Sequence, residues 1–73
     1  MEKIVLTQDQ IEVIQQDLRG EITINANEWQ RKHLSEVMDM AEKRLLEMDA
    51  DDGGNLIKWF WNEYQKQEND GKE

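Results

Sequence analysis

Cysteine and proline are absent from this 73-residue chain, and histidine occurs once, at His33. Lacking cysteine, the chain has no disulfide scaffold, thiolate zinc site or cysteine nucleophile, and a single imidazole leaves Ser-His-Asp chemistry little raw material. Long apolar runs are also missing. The longest are Ile4-Val5-Leu6 and Trp59-Phe60-Trp61, against the roughly 20 apolar residues needed to span a bilayer. A secretory signal requires a basic segment and then roughly 7–15 apolar residues, but Thr7-Gln8-Asp9-Gln10 follows Leu6. The expected location is cytoplasmic. Positive charge is scarce: 9 Lys plus Arg face 17 Asp plus Glu, for a formal net charge of −8. A surface of that sign repels nucleic acid and anionic lipid unless a local basic patch offsets it. Neither membrane association nor direct nucleic-acid binding is expected.

What is present suffices for one small domain, with 37% apolar residues and too short a chain for two cores. The expected fold is mainly α: about three helices, near 8–19, 28–48 and 56–67, with a short strand near 21–25 and a second candidate strand at 3–6. The domain is expected over 1–67, and 68–73 as a disordered polar tail, because nothing there can be buried.

The first helix is bounded by local signals. Thr7 with Gln10 three residues on forms a capping box, Leu6 and Ile11 have the spacing of a hydrophobic staple, and Gly20 suits a left-handed C-terminal turn. Its core stripe is read as Ile11, Ile14 and Leu18, with Val13 pointing nearly the other way. Glu21-Ile22-Thr23-Ile24-Asn25 alternates polar and apolar residues in the manner of a half-buried strand, which needs a partner at Lys3 to Leu6 or in a second copy.

The second helix takes Asn25 or Asn27 as cap, with Glu28 or Gln30 at the matching third position. Leu34, Met38, Ala41, Leu45 and Met48, with Val37 beside them, form a continuous apolar face, while Lys32, Glu36, Asp39, Lys43 and Glu47 lie opposite. Turn formers from Asp49 to Asn55 end it, and Asn55 caps a third helix whose core face is Leu56, Ile57, Phe60, Trp61 and Tyr64. Trp59 projects from the other side, as Trp29, Met40 and Leu46 do on the second helix.

Candidate chemistry is sparse. Asp49-x-Asp51-x-Gly53-Gly54 resembles the opening of an EF-hand calcium loop, but counting from Asp49 puts Gly53 at the fifth position and Phe60 at the twelfth, where oxygen ligands belong. The segment is therefore read as a helix-connecting turn, with no metal and no cofactor expected. His33 has Glu28 and Glu36 within helical reach but no recognisable nucleophile, and a catalytic carboxylate pair needs a concave pocket that a domain of this size rarely provides. No catalytic residue is assigned.

The expected function is protein–protein interaction. Seven acids against Lys43 and Arg44 lie between Glu36 and Asp52, so a negative field is expected there, facing a partner with a basic surface. The candidate partner-binding residues are Trp29, Glu36, Asp39, Met40, Leu46, Glu47, Asp49, Asp51, Asp52 and Trp59, the aromatic and aliphatic members serving as anchors. In size, acidity and lack of cysteine the chain resembles small inhibitors made by phages and mobile elements against host enzymes, some of which mimic nucleic-acid charge. That resemblance implies a basic or nucleic-acid-binding target. A second reading is a homodimer or higher oligomer acting as a structural or regulatory subunit, with the outlying apolar residues at a self-interface. A third follows from the strand, helix, helix order after Gly20, which is similar to ribbon-helix-helix DNA-binding regulators. The strand positions Glu21, Thr23 and Asn25 offer no Arg or Lys to bases or phosphates, which argues against it.

Overall fold

The described residues form three helices: α1 over Gln8–Leu18, α2 over Glu28–Met48 and α3 over Leu56–Asp70. The structure, a computed structural model, describes residues 3–70. Each helix starts where its sequence satisfies the first free N–H groups. Thr7 Oγ1 accepts from the Gln10 N–H at 3.1 Å, and the Gln10 side chain accepts from the Thr7 N–H at 3.0 Å. Asn27 and Gln30 repeat the box at 2.7 and 3.0 Å, selecting Asn27 over Asn25 as the α2 cap. Asn55 Oδ1 accepts from the Lys58 N–H at 3.1 Å and caps the start of α3.

The ends of α1 and α2 share one geometry. After α1, the Gly20 and Glu21 N–H groups donate to the Asp17 and Gln16 carbonyls, with Gly20 at φ 76°. After α2, the Asp49 and Ala50 N–H groups donate to Leu46 and Leu45, with Asp49 at φ 51°. Both are Schellman motifs, the second with a side chain where glycine is usual.

α1 and α2 run antiparallel. Gln10 donates to Glu36 at 3.4 Å and Gln30 donates to Gln16 at 3.0 Å, so position rises along one helix as it falls along the other. At 1.5 Å per residue α2 is roughly 31 Å long, most of the molecule's 38 Å long axis. The buried apolar core among the described residues is Ile4, Val13, Ile14, Val37, Ala41, Ile57 and Phe60.

Several expected faces are rotated. Val13 is fully buried whereas Leu18 is exposed, and Val37 and Ala41 are buried whereas Met38 is exposed. Trp29, Met40 and Trp59 pack against the core rather than projecting from it. The reason is common to all three helices: each touches both others, so each buries two adjoining strips instead of one stripe. On α1 and α2 the buried face is therefore turned away from the apolar stripe read by periodicity, whereas on α3 Ile57 and Phe60 are buried at the centre of the expected face.

The two expected strands do not form, and there is no strand among the described residues. At 21–25 a turn replaces it: the Ala26 N–H donates to the Thr23 carbonyl and the Asn25 N–H to Thr23 Oγ1, which leaves Ile22 against the core and swings Ile24 out to 98% exposure. The 3–6 segment keeps strand-like alternation, with Ile4 in, Val5 out and Leu6 in. Its hydrogen-bonding partner is the Gln67 side chain instead of a strand. α3 continues to Asp70, so residues 68–70 of the expected tail are helical, and 71–73 lie outside the described residues.

Candidate protein-interaction surface

The outward face of α2 is set by helical spacing. Asp39, Glu42 and Leu46, at i, i+3 and i+7, share one side with Glu28 and Ser35. All five are exposed, and Leu46 stands out at 80%. An exposed leucine flanked by acids one and two turns back has the chemistry of an apolar anchor within a negative rim.

The C-terminal end of α2 strengthens that field. Carbonyl dipoles make a helix C-terminus partly negative, which favours cations there. The last turn of α2 has no basic residue, and Glu47, Asp49, Asp51 and Asp52 follow within six positions. Asp49 is unfavourable twice over: its backbone is left-handed, a conformation that disfavours a Cβ, and its carboxylate sits at the negative pole. Asp51 and Asp52 also shape the turn, accepting from the Gly53 and Gly54 N–H groups at 3.0 and 2.8 Å.

The structure divides the ten candidate residues. Asp39, Leu46, Glu47, Asp49 and Asp51 are exposed on α2 or just beyond it, and Asp52 is half-buried in the following turn. Trp29, Met40 and Trp59 are half-buried against the core. Glu36 belongs to the seam with α1, where its Oε1 lies 2.8 Å from His33 Nδ1 and 3.4 Å from the Gln10 amide nitrogen.

His33 is similarly committed. Its side chain is 14% exposed, its Nε2 lies 3.7 Å from Asp9 Oδ2, and its ring meets Trp29 edge-on at 5.1 Å. The hydrogen bond with His33 is the main reason that the Glu36 carboxyl is held below its ordinary value of 4.5, with burial opposing. Glu21, exposed beside Arg19, is lowered by its hydrogen bond to that guanidinium. Burial raises the Tyr64 hydroxyl, and the nearby Glu68 adds to it.

Two features escaped the sequence reading. Ile24 protrudes at 98% exposure because a turn forms where alternation implied a strand. A groove lined by Lys3, Lys43 and Phe60 also joins three distant segments. Only the isolated basic pair Lys43-Arg44, within an acidic stretch, hinted at it. Among the described residues, no group of three or more His, Asp or Glu side chains is placed to hold a metal ion, and no helix is long and apolar enough to cross a membrane. No protein-family model matches the chain, and neither curated proteins nor solved structures give a match.

Proposed function

We propose that this chain is a non-enzymatic, acidic protein-interaction module whose α2 face engages a basic surface on another protein in the cytoplasm. The observation that carries the reading is Leu46, 80% exposed on the same helical face as Asp39 and Glu42. Leu46 adds little to the core and is free to act as an apolar anchor, and the acids around it favour a cationic partner over self-association. The unfavourable Asp49 points the same way, since residues that break local rules concentrate at functional positions. A small inhibitor of a basic or nucleic-acid-binding host protein, of the kind phages and mobile elements encode, fits this chemistry.

Catalysis has little support. The single histidine is packed between two helices, and the shifted carboxyls Glu21 and Glu36 are both lowered, opposite to the direction a general acid requires. The homo-oligomer reading loses most of its basis. Of its self-interface residues Trp29, Met40, Leu46 and Trp59, all but the exposed Leu46 pack on their own core, and its pairing strand is a turn. The ribbon-helix-helix likeness loses its ribbon for the same reason.

The test is capture of binding proteins by the immobilised full chain at low and high salt. Leu46→Glu and an Asp39→Lys, Glu42→Lys double variant run beside it, each checked for helix content by circular dichroism. The expected result is a basic protein retained by the original chain, released by salt and lost by both folded variants. A protein retained equally by all three forms would overturn the assignment.

A further inference from the structure

On the flank of α2 next to the Leu46 face lies a groove of opposite electrical character, with a volume of about 620 Å³. Its floor is apolar: Ile4 and Phe60 are 7% and 1% exposed, with Met40 beside them. Lys3, Lys43 and Arg44 line it against one carboxylate, Glu47. Three cations to one acid reverses the balance of 9 to 17 in the whole chain. Arg44 is already engaged, but Lys3 and Lys43 enter no ion pair among the described residues.

The backbone of the 3–5 segment adds a second requirement. In an extended chain the N–H and C=O of one residue point to one edge, and those of its neighbours point to the other. Both polar groups of Ile4 are taken by Gln67, so those of Lys3 and Val5 face the opposite edge. They make no hydrogen bond among the described residues. The α2 wall of the groove, Met40 to Glu47, spans two helical turns or about 10 Å, the length of about three extended residues.

We propose that this groove binds an extended acidic segment of another protein with an apolar residue among its carboxylates. The segment pairs its backbone with Lys3 and Val5, sets the apolar side chain on Met40 and Phe60, and brings carboxylates to Lys3 and Lys43. Backbone pairing along an unpartnered edge supplies affinity, and the pocket and cations supply selectivity. The site is separate from the Leu46 face.

The experiment is a nuclear magnetic resonance titration of the isotope-labelled full chain at low ionic strength. Three probes are used: an acetylated, amidated peptide alternating glutamate with leucine, the same peptide with glutamine for glutamate, and decanoate. The expected result is saturable shifts at the Lys3, Val5 and Lys43 amides with the glutamate peptide. Binding should weaken by about tenfold with the glutamine peptide and with the Lys43→Glu variant. Methylating the peptide's leucine nitrogens should weaken it similarly, and Leu46→Glu should leave it unchanged, so this proposal and the preceding one fail independently. Equal binding of both peptides, no saturable shift, or displacement of the peptide by an equal concentration of decanoate would overturn it.

Discussion

The Gln67 side chain holds Ile4 by both of its backbone polar groups: the Ile4 N–H donates to Oε1 at 2.7 Å, and Nε2 donates to the Ile4 carbonyl at 2.8 Å. One carboxamide thus replaces a neighbouring strand and ties the start of the chain to the last turns of α3, 63 positions away. Ile4 reaches the core through this clasp. Gln67→Ala removes both bonds and should lower stability by about 1–3 kcal/mol. Gln67→Glu should also destabilise, because a carboxylate accepts from the Ile4 N–H but has nothing to donate to its carbonyl. Urea unfolding midpoints check both, and an unchanged midpoint for Gln67→Ala would show that the clasp adds no net stability.

Gly20 and Asp49 occupy equivalent positions in two Schellman motifs, at φ 76° and 51°. Asp49→Gly should stabilise the chain by about 0.5–1 kcal/mol, since it relieves left-handed backbone and removes a negative charge from the C-terminal pole of α2. The reverse exchange, Gly20→Asp, should destabilise. Thermal unfolding decides. A fall in melting temperature for Asp49→Gly would mean that the aspartate contributes to the turn itself.

Glu36 and His33 make acid sensitivity specific. The folded Glu36 carboxyl titrates below its ordinary 4.5, chiefly through the hydrogen bond with His33 and then through that from Gln10. A lowered folded value means that the contact stabilises above about pH 4.5, and that this stabilisation is lost as pH falls through the lower folded value. Glu36→Gln cannot lose a charge there. Its stability deficit relative to the original chain should shrink as the solution is acidified, measured by urea midpoints across the acid range. A constant deficit would remove the linkage.

Local signals were legible in the sequence, and those that depend on neighbours were not. The Thr7 and Asn27 boxes and the Asn55 cap are decided within four residues, so all three helix starts were readable. Which face each helix buries depends on how many elements surround it. Val13 reads as an outlier on a two-body packing and becomes core once α1 touches both α2 and α3. The alternation at 21–25 is strand-like, but without a partner ladder Thr23 satisfies its neighbours as a turn. Gln67 could not have been matched to Ile4, because nothing in its flanking residues marks it as a backbone partner. For the candidate surface, the acids were visible in sequence, while the separation of Leu46 from Trp29, Met40 and Trp59 required the packing.

Leu46 and Trp59 give the sharpest contrast between anchoring and packing. Trp59 is half-buried against the core, so Trp59→Ala leaves a gap and should cost about 2 kcal/mol, less than a fully enclosed tryptophan. Leu46 is 80% exposed, so Leu46→Ala should change stability by no more than about 0.5 kcal/mol. Capture of a basic partner should show the opposite ranking, with Leu46→Ala the more damaging once both proteins are folded under assay conditions. Denaturation and capture measured on the same two preparations separate the roles. If Trp59→Ala keeps its stability and loses the partner, the indole is the anchor, and the core closes through Phe60 and Ile57 without it.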